Sequence, residues 1–318
     1  MKRLFFILLA IVVLAACSKG DDTPKDPDEP KPPVVGTGLT WEKKTNCGMS
    51  MTSYFAYNIG DEIYYINHNG QMWAYHIPSD KWTQCRTSPA GSSCALVYKG
   101  NLYCRVGDSG NPDYEHYFKK YDSANNNWLD DDGGTGPKIY GSVINSYKDI
   151  LLYFFTIDDE IYLLVKTHRG TTALWRAENE KWVWLADLGY TEGQPMGIIG
   201  DKAYYFRYFN NRSVLVELYP KITTQWTDKL EIGVQASIFF PYKNYVFVFN
   251  RYYSFDCEII NLTTNEKEKK NYLLPNFKEN SSQIDGVDIT PENIRAINVK
   301  DRVFMGPINA SFYEMKLK

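Results

Sequence analysis

The sequence lacks the motifs by which many catalytic centres are recognised. It contains no G-x-S-x-G, no H-E-x-x-H and no glycine-rich phosphate loop, and its four histidines are scattered along the chain. Nothing in this pattern predicts a metal ion or a cofactor. The residues therefore favour a binding function over catalysis, although they leave an enzyme as an alternative.

Charge and cysteine spacing disfavour two further classes. The chain has 35 basic and 38 acidic residues, a net charge of −3, so it lacks the basic excess of a nucleic-acid-binding protein. The six cysteines include no C-x-x-C pair, so a zinc knuckle is not predicted. Five cysteines follow Cys17, and an odd number leaves at least one outside any disulfide. Cys94 and Cys104 flank a predicted hairpin in a register that permits a bridge, but we favour small buried thiols.

Long apolar runs are also missing, apart from one near the start of the chain. Residues 5–16 form an unbroken apolar run of 12 residues, whereas a helix needs about 20 to span a bilayer. The basic pair Lys2 and Arg3 precedes this run, which is the pattern of a secretory signal. The sequence therefore predicts export without a membrane-spanning helix.

The apolar run ends in Leu14-Ala15-Ala16-Cys17, which resembles the lipobox of bacterial lipoproteins. This resemblance implies that residues 1–16 are a signal peptide and that Cys17, as the first residue of the mature chain, binds the membrane through attached acyl chains. Each buried methylene contributes about 0.8 kcal/mol, so two or more chains anchor a protein stably. An ordinary signal peptide with a chance cysteine is the alternative, and the small residues before Cys17 disfavour it.

Residues 17–37 are predicted to be the lipidated cysteine and a flexible tether. They are rich in Pro, Asp and Lys, a composition that does not bury a core and stays extended. Asp21 and Asp22, soon after the cysteine, resemble the surface-export signals of Bacteroidota lipoproteins. The resemblance implies an outer-membrane lipoprotein exposed at the cell surface, and a domain facing the periplasm is the alternative.

After the tether, a turn followed by a strand rich in tyrosine and aliphatic residues recurs six times. Gly, Asp and Asn at the turns mark hairpins between short strands. The chain contains 25 Tyr and 16 Phe, and both residue types favour strands. The six copies are residues 60–65, 99–103, 158–162, 200–205, 243–247 and 300–304.

A second element follows the first four copies: a strand, a polar turn and a tryptophan. The tryptophans are Trp82, Trp128, Trp182 and Trp226, and the fifth copy has Glu266 at this position. The successive spacings are 46, 54, 44 and 40 residues, the period of propeller blades. Each repeat therefore predicts one four-stranded blade, with its tryptophan packed between blades.

The sixth repeat ends at Lys318, after its third strand and without a tryptophan strand. A lone tryptophan strand lies at the other end, in residues 38–44, and its Trp41 precedes Trp82 by 41 residues, one repeat. The N-terminal strand is therefore predicted to complete the last blade and close the ring, which protects strand edges. The prediction is an all-β, six-bladed propeller that occupies residues 38–318 as one domain.

The tyrosine strand, tight turn and tryptophan resemble those of kelch-type propellers over nearly all of residues 38–318. The kelch double glycine after the tyrosine strand is largely absent, with only Gly107 in a similar place. Because of this departure, the resemblance implies no specific kelch function. The resemblance does imply a ligand face, formed by the loops after the second strands and by the connections between blades.

Seven cationic or titratable residues lie in or beside the loops that follow the tyrosine strands. Arginine binds carboxylates through two parallel hydrogen bonds, and the nearby Tyr208 and Tyr252 offer faces for the apolar side of a sugar. The pattern predicts a site for a carboxylated or polyhydroxylated ligand, and ordinary solvated loops are the alternative. The ligand-binding candidates are His68, Arg105, Lys166, His168, Arg169, Arg207 and Arg251.

Together these features predict a cell-envelope lipoprotein whose propeller is a non-catalytic binding module for a glycan or a protein partner. One alternative is an enzyme resembling the kelch-type sialic acid mutarotases of bacteria, which need only a few Arg, His and Glu residues in a propeller mouth. Another is a structural component of an envelope complex. No residue is assigned a catalytic role.

Overall fold

The computed structural model describes residues 38–48, 54–89, 95–106, 117–130, 136–137, 139, 150–166, 171–190, 197–209, 212–219, 226–232, 236–250, 256–271, 283–284, 287–288 and 295–317. The predicted signal peptide and tether, residues 1–37, lie outside this part of the chain. Every regular element within it is a β-strand. It holds no helix long and apolar enough to cross a membrane.

Six four-stranded antiparallel sheets, the blades, form a β-propeller. The first strand of the chain, β1 (Leu39–Lys44), belongs to the last blade, and blade one begins with the next strand. Blades one to three consist of β2 (Tyr54–Ile59), β3 (Glu62–Asn67), β4 (Met72–His76) and β5 (Lys81–Gln84); β6 (Ala95–Tyr98), β7 (Asn101–Val106), β8 (Tyr117–Asp122) and β9 (Asn127–Leu129); and β10 (Ile150–Ile157), β11 (Glu160–Lys166), β12 (Thr171–Glu178) and β13 (Lys181–Tyr190).

The second half of the ring has the same organisation, with one small hairpin inserted between blades five and six. Its strands are β14 (Gly197–Ile199), β15 (Lys202–Phe209), β16 (Arg212–Leu218) and β17 (Trp226–Ile232) in blade four; β18 (Ala236–Tyr242), β19 (Tyr245–Asn250), β20 (Asp256–Asn261) and β21 (Lys267–Asn271) in blade five; β22 (Gln283–Ile284) and β23 (Val287–Asp288) in the hairpin; and β24 (Ala296–Val299), β25 (Arg302–Ile308) and β26 (Ser311–Leu317), with β1, in blade six. The predicted all-β, six-bladed fold is confirmed.

Two-residue turns connect the first and second strands of the blades. Lys99 and Gly100 both have positive φ, 46° and 70°, as do Asp158 and Asp159, 48° and 63°. Two consecutive residues with positive φ define a type I′ turn, whose twist matches that of the flanking strands. Each of the six predicted turns joins the first two strands of a blade, which explains why Gly, Asp and Asn recur there.

The N-terminal strand completes blade six. β1 runs antiparallel to β26, with Leu39 opposite Leu317 and Lys44 opposite Phe312. The sheet order is β1-β26-β25-β24, so the outermost strand of the last blade comes from the start of the propeller sequence. The predicted closure of the ring is therefore confirmed.

The hydrophobic core lies between neighbouring blades. Between blades six and one, the Tyr75 ring centroid lies 4.7 Å from that of Phe312 and 5.1 Å from that of Trp82. Aromatic pairs of this kind contribute about 0.5–1.5 kcal/mol beyond the area they bury. Comparable clusters of buried residues fill the next four interfaces, from blades one and two to blades four and five.

A set of three hydrogen bonds fastens blade one to the chain that arrives from blade six. Asp80 Oδ1 accepts from the Tyr75 hydroxyl at 2.9 Å and from the Thr45 backbone N–H at 3.0 Å. The Trp82 indole N–H donates to the Thr45 carbonyl oxygen at 2.8 Å. The turn residue and the tryptophan of one repeat therefore bind a single residue of the preceding connection, and the tyrosine of the same repeat bonds to the turn residue.

The same bonds recur one blade later. Asn126 Oδ1 accepts from the Tyr121 hydroxyl at 2.8 Å and from the Arg86 backbone N–H at 2.6 Å. The Trp128 indole N–H donates to the Arg86 carbonyl oxygen at 3.4 Å. Thr45 and Arg86 each lie four residues after a repeat tryptophan, so this bracket, as we call it, follows the sequence period.

The predicted packing role of the repeat tryptophans is confirmed where their side chains are described. Besides Trp82 and Trp128, the Trp41 ring lies 6.2 Å from Phe240 of blade five, edge to face. Trp182 packs against the buried cluster between blades two and three. The side chain of Trp226 lies outside the described part.

The described cysteines are buried, as the small-thiol interpretation predicts. They are Cys47, Cys85, Cys104 and Cys257. Burial raises the pKa of the Cys85 and Cys257 thiols above the ordinary value. Cys94, the other member of the possible bridge, lies outside the described residues.

Candidate functional site: the central channel

A central channel is enclosed by the first strands of all six blades. Its volume is about 390 Å³, and its lining comes from β2, β6, β10, β14, β18 and β24 or the residues beside them. Pockets that bind small molecules typically measure about 300–1,000 Å³ and are mostly apolar with a few polar groups. The channel therefore has the size and character of a ligand site.

One level of the channel, the arginine level, consists of Phe55, Tyr153 and Arg295. Each lies five residues before the hairpin turn of its blade. The Arg295 guanidinium carbon is 4.0 Å from the centroid of the Phe55 ring. The Phe55 and Tyr153 rings are stacked, with centroids 5.1 Å apart and planes at 18°. Because these residues come from blades six, one and three, the stack extends across the channel.

The arginine level combines a positive charge with a neutral phenol. Arg295 is the one charged side chain among the described residues that line the channel. Burial raises the pKa of the Tyr153 hydroxyl, and the charge of Arg295 opposes this rise without cancelling it. Tyr153 is therefore neutral at physiological pH, and its hydroxyl can both donate and accept a hydrogen bond.

A second level, the amide level, consists of Asn58, Thr156 and Asn298, each two residues before the hairpin turn of its blade. The Asn58 Nδ2 donates to the carbonyl oxygens of Gly60 and Glu62, at 3.1 and 3.0 Å. Because both neighbours are carbonyl oxygens, the amide must present its NH₂ to them. Its Oδ1 is the atom left for other contacts.

The other two side chains of the amide level each donate a hydrogen bond to the backbone of the preceding blade. The Thr156 hydroxyl donates to the carbonyl oxygen of Val97 in blade two at 2.9 Å. Asn298 Nδ2 donates to the carbonyl oxygen of Pro241 in blade five. The Asn298 Oδ1 is buried, and no donor among the described residues reaches it. The donors of the amide level are therefore committed to the backbone, and the side-chain oxygens that remain are acceptors.

Apolar residues separate the two polar levels. The levels are three residues apart along the strands, which is about 10 Å at the rise of a β-strand. Phe154, Ile297 and Ala296 are among the lining residues in between. The channel is thus polarised along its length, with donors and positive charge at one level and acceptors at the other.

The structure describes three of the seven predicted ligand-binding residues. His68 is exposed in the turn after β3, Lys166 is half-buried at the end of β11, and Arg105 is 5% exposed within β7. The side chain of Arg207 in β15 is outside the described part. So are His168, Arg169 and Arg251.

The three described candidates lie at the same end of the blades as the arginine level. Lys166 is opposite Ile150 at the start of β10, and Arg105 follows Cys104, which is opposite Ala95 at the start of β6. None of the three is among the described residues that line the channel. Arg105 is inside a strand and buried, so it differs from the loop residue that the sequence suggested.

Sequence reasoning missed both levels of the channel because it looked for charges in the loops after the second strands. A signal was present one strand earlier. Alignment of the repeats on their hairpin turns puts Phe55, Tyr153 and Arg295 in one column, and Asn58, Thr156 and Asn298 in another. The sequence does not show that side chains from blades that are not neighbours meet across the channel.

Comparison with known proteins supports the N-terminal assignment and the fold. The prokaryotic membrane lipoprotein lipid attachment site matches residues 1–18, which include Cys17. No curated protein matches the sequence. The chain is therefore an exported, membrane-anchored lipoprotein.

Solved structures resemble the propeller at low sequence identity. The structure of YjhT is 11% identical with a TM-score of 0.53, covering 86% of this chain and 95% of that one. The calcium-binding protein regucalcin from Agrobacterium tumefaciens is 9% identical with a TM-score of 0.55, covering 87% and 94%. A structural-genomics protein from Bacteroides thetaiotaomicron is 7% identical with a TM-score of 0.50, covering 88% and 76%. These similarities identify the fold, so the chain is a lipoprotein with a β-propeller.

Proposed function

We propose that this lipoprotein is a non-catalytic binding module that holds a glycan at the channel and at the loop face beside the arginine level. The observation that carries the proposal is the polarised channel of about 390 Å³ with a cation–aromatic stack across one level. Aromatic faces pack against the apolar side of sugar rings, while amide and hydroxyl oxygens accept from sugar hydroxyls. All of these groups are fixed to the inner strands of the propeller.

The channel favours a glycan over a protein partner. Its volume suits a group of a few rings, whereas specific protein–protein interfaces bury about 1,200–2,000 Å² of surface in total. The lining residues stand on strands, so little conformational entropy is lost when a ligand enters. A protein partner would need the outer surfaces of the blades instead, and it is the competing outcome of the test below.

The basic residues predicted from the sequence have a place in this proposal. His68 and Lys166 lie at the end of the blades that also carries the arginine level. We infer that they contact the parts of a longer glycan that extend out of the channel. His168, Arg169, Arg207 and Arg251 stay candidates for the same role, and Arg105 is the member that burial disfavours.

The lipid on Cys17 gives the binding module its location. We propose that the lipoprotein lies in the outer membrane with its kelch-like propeller exposed at the cell surface. Asp21 and Asp22 support this placement through their resemblance to Bacteroidota export signals. Protease treatment of intact cells tests it, because a surface-exposed propeller is accessible and one that faces the periplasm is protected.

A glycan array probed with the mature lipoprotein in detergent tests the binding function. We expect binding to a subset of glycans and at least a tenfold loss with Phe55→Ala. The matched control is Trp184→Ala, because Trp184 is a 54% exposed aromatic residue on the outermost strand of blade three. An empty array together with a protein captured by crosslinking would replace the glycan by a protein partner. Equal loss in both variants would remove the channel from the proposal.

A further inference from the structure

The outermost strands of the six blades differ in how well their free edges are protected. β5 and β9 are only four and three residues long. β1, β17 and β21 are longer, but each carries at least three charged side chains. Short length and charge are the usual means by which proteins prevent a strand edge from pairing with another chain. The remaining outermost strand, β13 of blade three, has neither protection.

β13 is ten residues long, and its two charges, Lys181 and Asp187, enclose the uncharged run of residues 182–186. Val183 is 38% and Trp184 54% exposed, and they are the exposed large apolar side chains of the described residues. None of the described strands pairs with the outer side of β13. We propose that this edge pairs with β13 of a second copy of the chain, antiparallel and about a two-fold axis at Val183.

The turn before β13 decides which of its backbone groups are free. Residues 179–180 have φ of 51° and 62° and form a type I′ turn, so the pair beside it, Glu178 and Lys181, is hydrogen-bonded. Bonded and non-bonded pairs alternate along an antiparallel ladder. Trp182 and Trp184 therefore belong to non-bonded pairs of β12 and β13. Their N–H and C=O groups point away from β12, toward the free edge.

A second copy of β13 supplies matching backbone groups. With the two-fold axis at Val183, Trp182 lies opposite the second copy's Trp184, and Trp184 lies opposite the second copy's Trp182. Because both residues direct their backbone groups outward, each of these pairs can exchange both of its N–H···O bonds. The paired tryptophans share one face of the joined sheet, and Val183 meets its counterpart on the other face. The edge is therefore complementary to itself.

A β-bulge limits the length of this pairing. Trp184 is opposite Trp175 and Ala186 is opposite Leu174, so the register skips Leu185. The four regular residues before the bulge bury far less surface than the about 1,200–2,000 Å² of a stable interface, so pairing between free copies is weak. The lipid compensates, because copies attached to one membrane meet at a high effective concentration. A second copy is thus the partner that the anchor brings to this edge.

Disulfide crosslinking in lipid vesicles tests this inference. The mature lipoprotein is reconstituted through its lipid and oxidised with copper phenanthroline. Val183→Cys places two thiols opposite each other at the axis, where Cα atoms about 4.5 Å apart permit a disulfide. Thr83→Cys is the matched control, because Thr83 is exposed and follows the repeat tryptophan of blade one as Val183 follows that of blade three. Since thiols that merely collide lack this geometry, we expect roughly tenfold more covalent dimer from Val183→Cys.

A charge exchange at the axis separates lost pairing from misfolding. Val183→Lys and Val183→Glu each place like charges opposite each other, which disfavours pairing. Energy transfer between donor- and acceptor-labelled copies in one vesicle should fall in either variant and persist in Thr83→Lys. A mixture of the two Val183 variants should recover it, because Lys then meets Glu. Wild-type transfer in Val183→Lys, or no recovery in the mixture, would overturn the inference.

Crosslinking in intact cells identifies the occupant of the edge. A photoreactive phenylalanine in place of Val183 should give an adduct with twice the mass of the lipoprotein. An adduct with a different protein would replace the second copy by that protein, and equal disulfide yields at positions 183 and 83 would remove the edge from the proposal. The inference does not depend on the ligand of the channel. In detergent, where copies do not share a membrane, the pairing is weak, so Trp184→Ala stays a valid control for the glycan array.

Discussion

At the scale of single residues, the asparagine or aspartate before the tryptophan strand holds neighbouring blades together. Asp80 and Asn126 each accept from a tyrosine hydroxyl of their own blade and from a backbone N–H of the preceding connection. The backbone conformation at both positions is left-handed, with φ of 52° and 49°. Asn and Asp tolerate this conformation better than most other residues. One residue therefore adopts the backbone conformation of the turn and also accepts a hydrogen bond across the interface between blades.

Removal of the bracket should destabilise the propeller. Asp80→Ala leaves the Tyr75 hydroxyl and the Thr45 N–H without their acceptor, and we expect a loss of about 1–3 kcal/mol in the free energy of unfolding. Asn126→Ala should behave alike. Urea denaturation measures both, with Asp61→Ala as the control, because Asp61 makes an exposed ion pair worth less than about 1 kcal/mol. A loss no greater than that of the control would refute the role of the bracket.

One glycine is required by its surroundings. Gly306 has a φ of 105°, and a Cβ at this position would lie 2.7 Å from the Ser311 carbonyl oxygen. We expect Gly306→Ala to lower the free energy of unfolding by more than about 1 kcal/mol. Gly60 also has a positive φ but no atom within 4 Å of such a Cβ, so Gly60→Ala should cost less. Chemical denaturation compares the two, and equal losses would contradict the steric argument.

At the scale of strands, a group of charges fixes the closing strand to blade six. Glu314 of β26 is 2% exposed and accepts from Arg302 Nε at 2.6 Å and Nη2 at 2.9 Å. Lys316 lies 2.9 Å from Glu314 and 3.2 Å from Glu42 of β1. Lys44 of β1 lies 3.2 Å from Glu42. The network therefore joins β1, the strand that closes the ring, to the next two strands of the sheet, β26 and β25.

The network makes stability depend on pH. Burial alone would raise the pKa of Glu314, but hydrogen bonds from Arg302 and Lys316 outweigh it and hold that pKa below the ordinary value of 4.5. The unfolded chain then binds the proton more tightly, so the contribution is present above pH 4.5 and is lost as the pH falls through the lowered pKa. Acid should therefore weaken the closure.

Glu314→Gln tests this dependence. We expect it to lower the free energy of unfolding by roughly 3 kcal/mol at pH 7, because it leaves a partly buried arginine without its carboxylate. The gap from the wild type should narrow as the pH falls through the lowered pKa of Glu314, where the wild type loses the charge as well. Glu42→Gln is the control, since Glu42 is 49% exposed and should lose less. A gap independent of pH would contradict the account.

The sequence predicts the strands of this propeller better than it predicts the contacts inside the channel. Hairpin turns and bracket residues act locally or at a fixed repeat distance, so the six blades and their closure followed from spacing alone. The stack of Phe55, Tyr153 and Arg295 joins three blades across the channel, and no spacing predicts such a contact. Arg105, which the sequence places among the loop residues after β7, is buried inside that strand instead.

At the scale of the whole molecule, the ring depends on one pairing between the two ends of the propeller sequence. Deletion of residues 38–44 removes β1 and exposes the edge of β26, and an unpaired edge promotes association with other chains. We expect this variant to aggregate on size-exclusion chromatography and to be cleaved faster by protease. Deletion of seven tether residues, 23–29, is the control and should change neither. A monomeric β1 deletion with the wild-type melting temperature would contradict the closure.

The central claim is that the propeller holds its ligand inside the channel, between the arginine level and the amide level. The most direct test is a crystal structure of the protein soaked in a glycan that binds on the array, compared with unsoaked crystals. We expect sugar density inside the channel, against the rings of the arginine level. Density on the outer strands of the blades, with an empty channel, would contradict it.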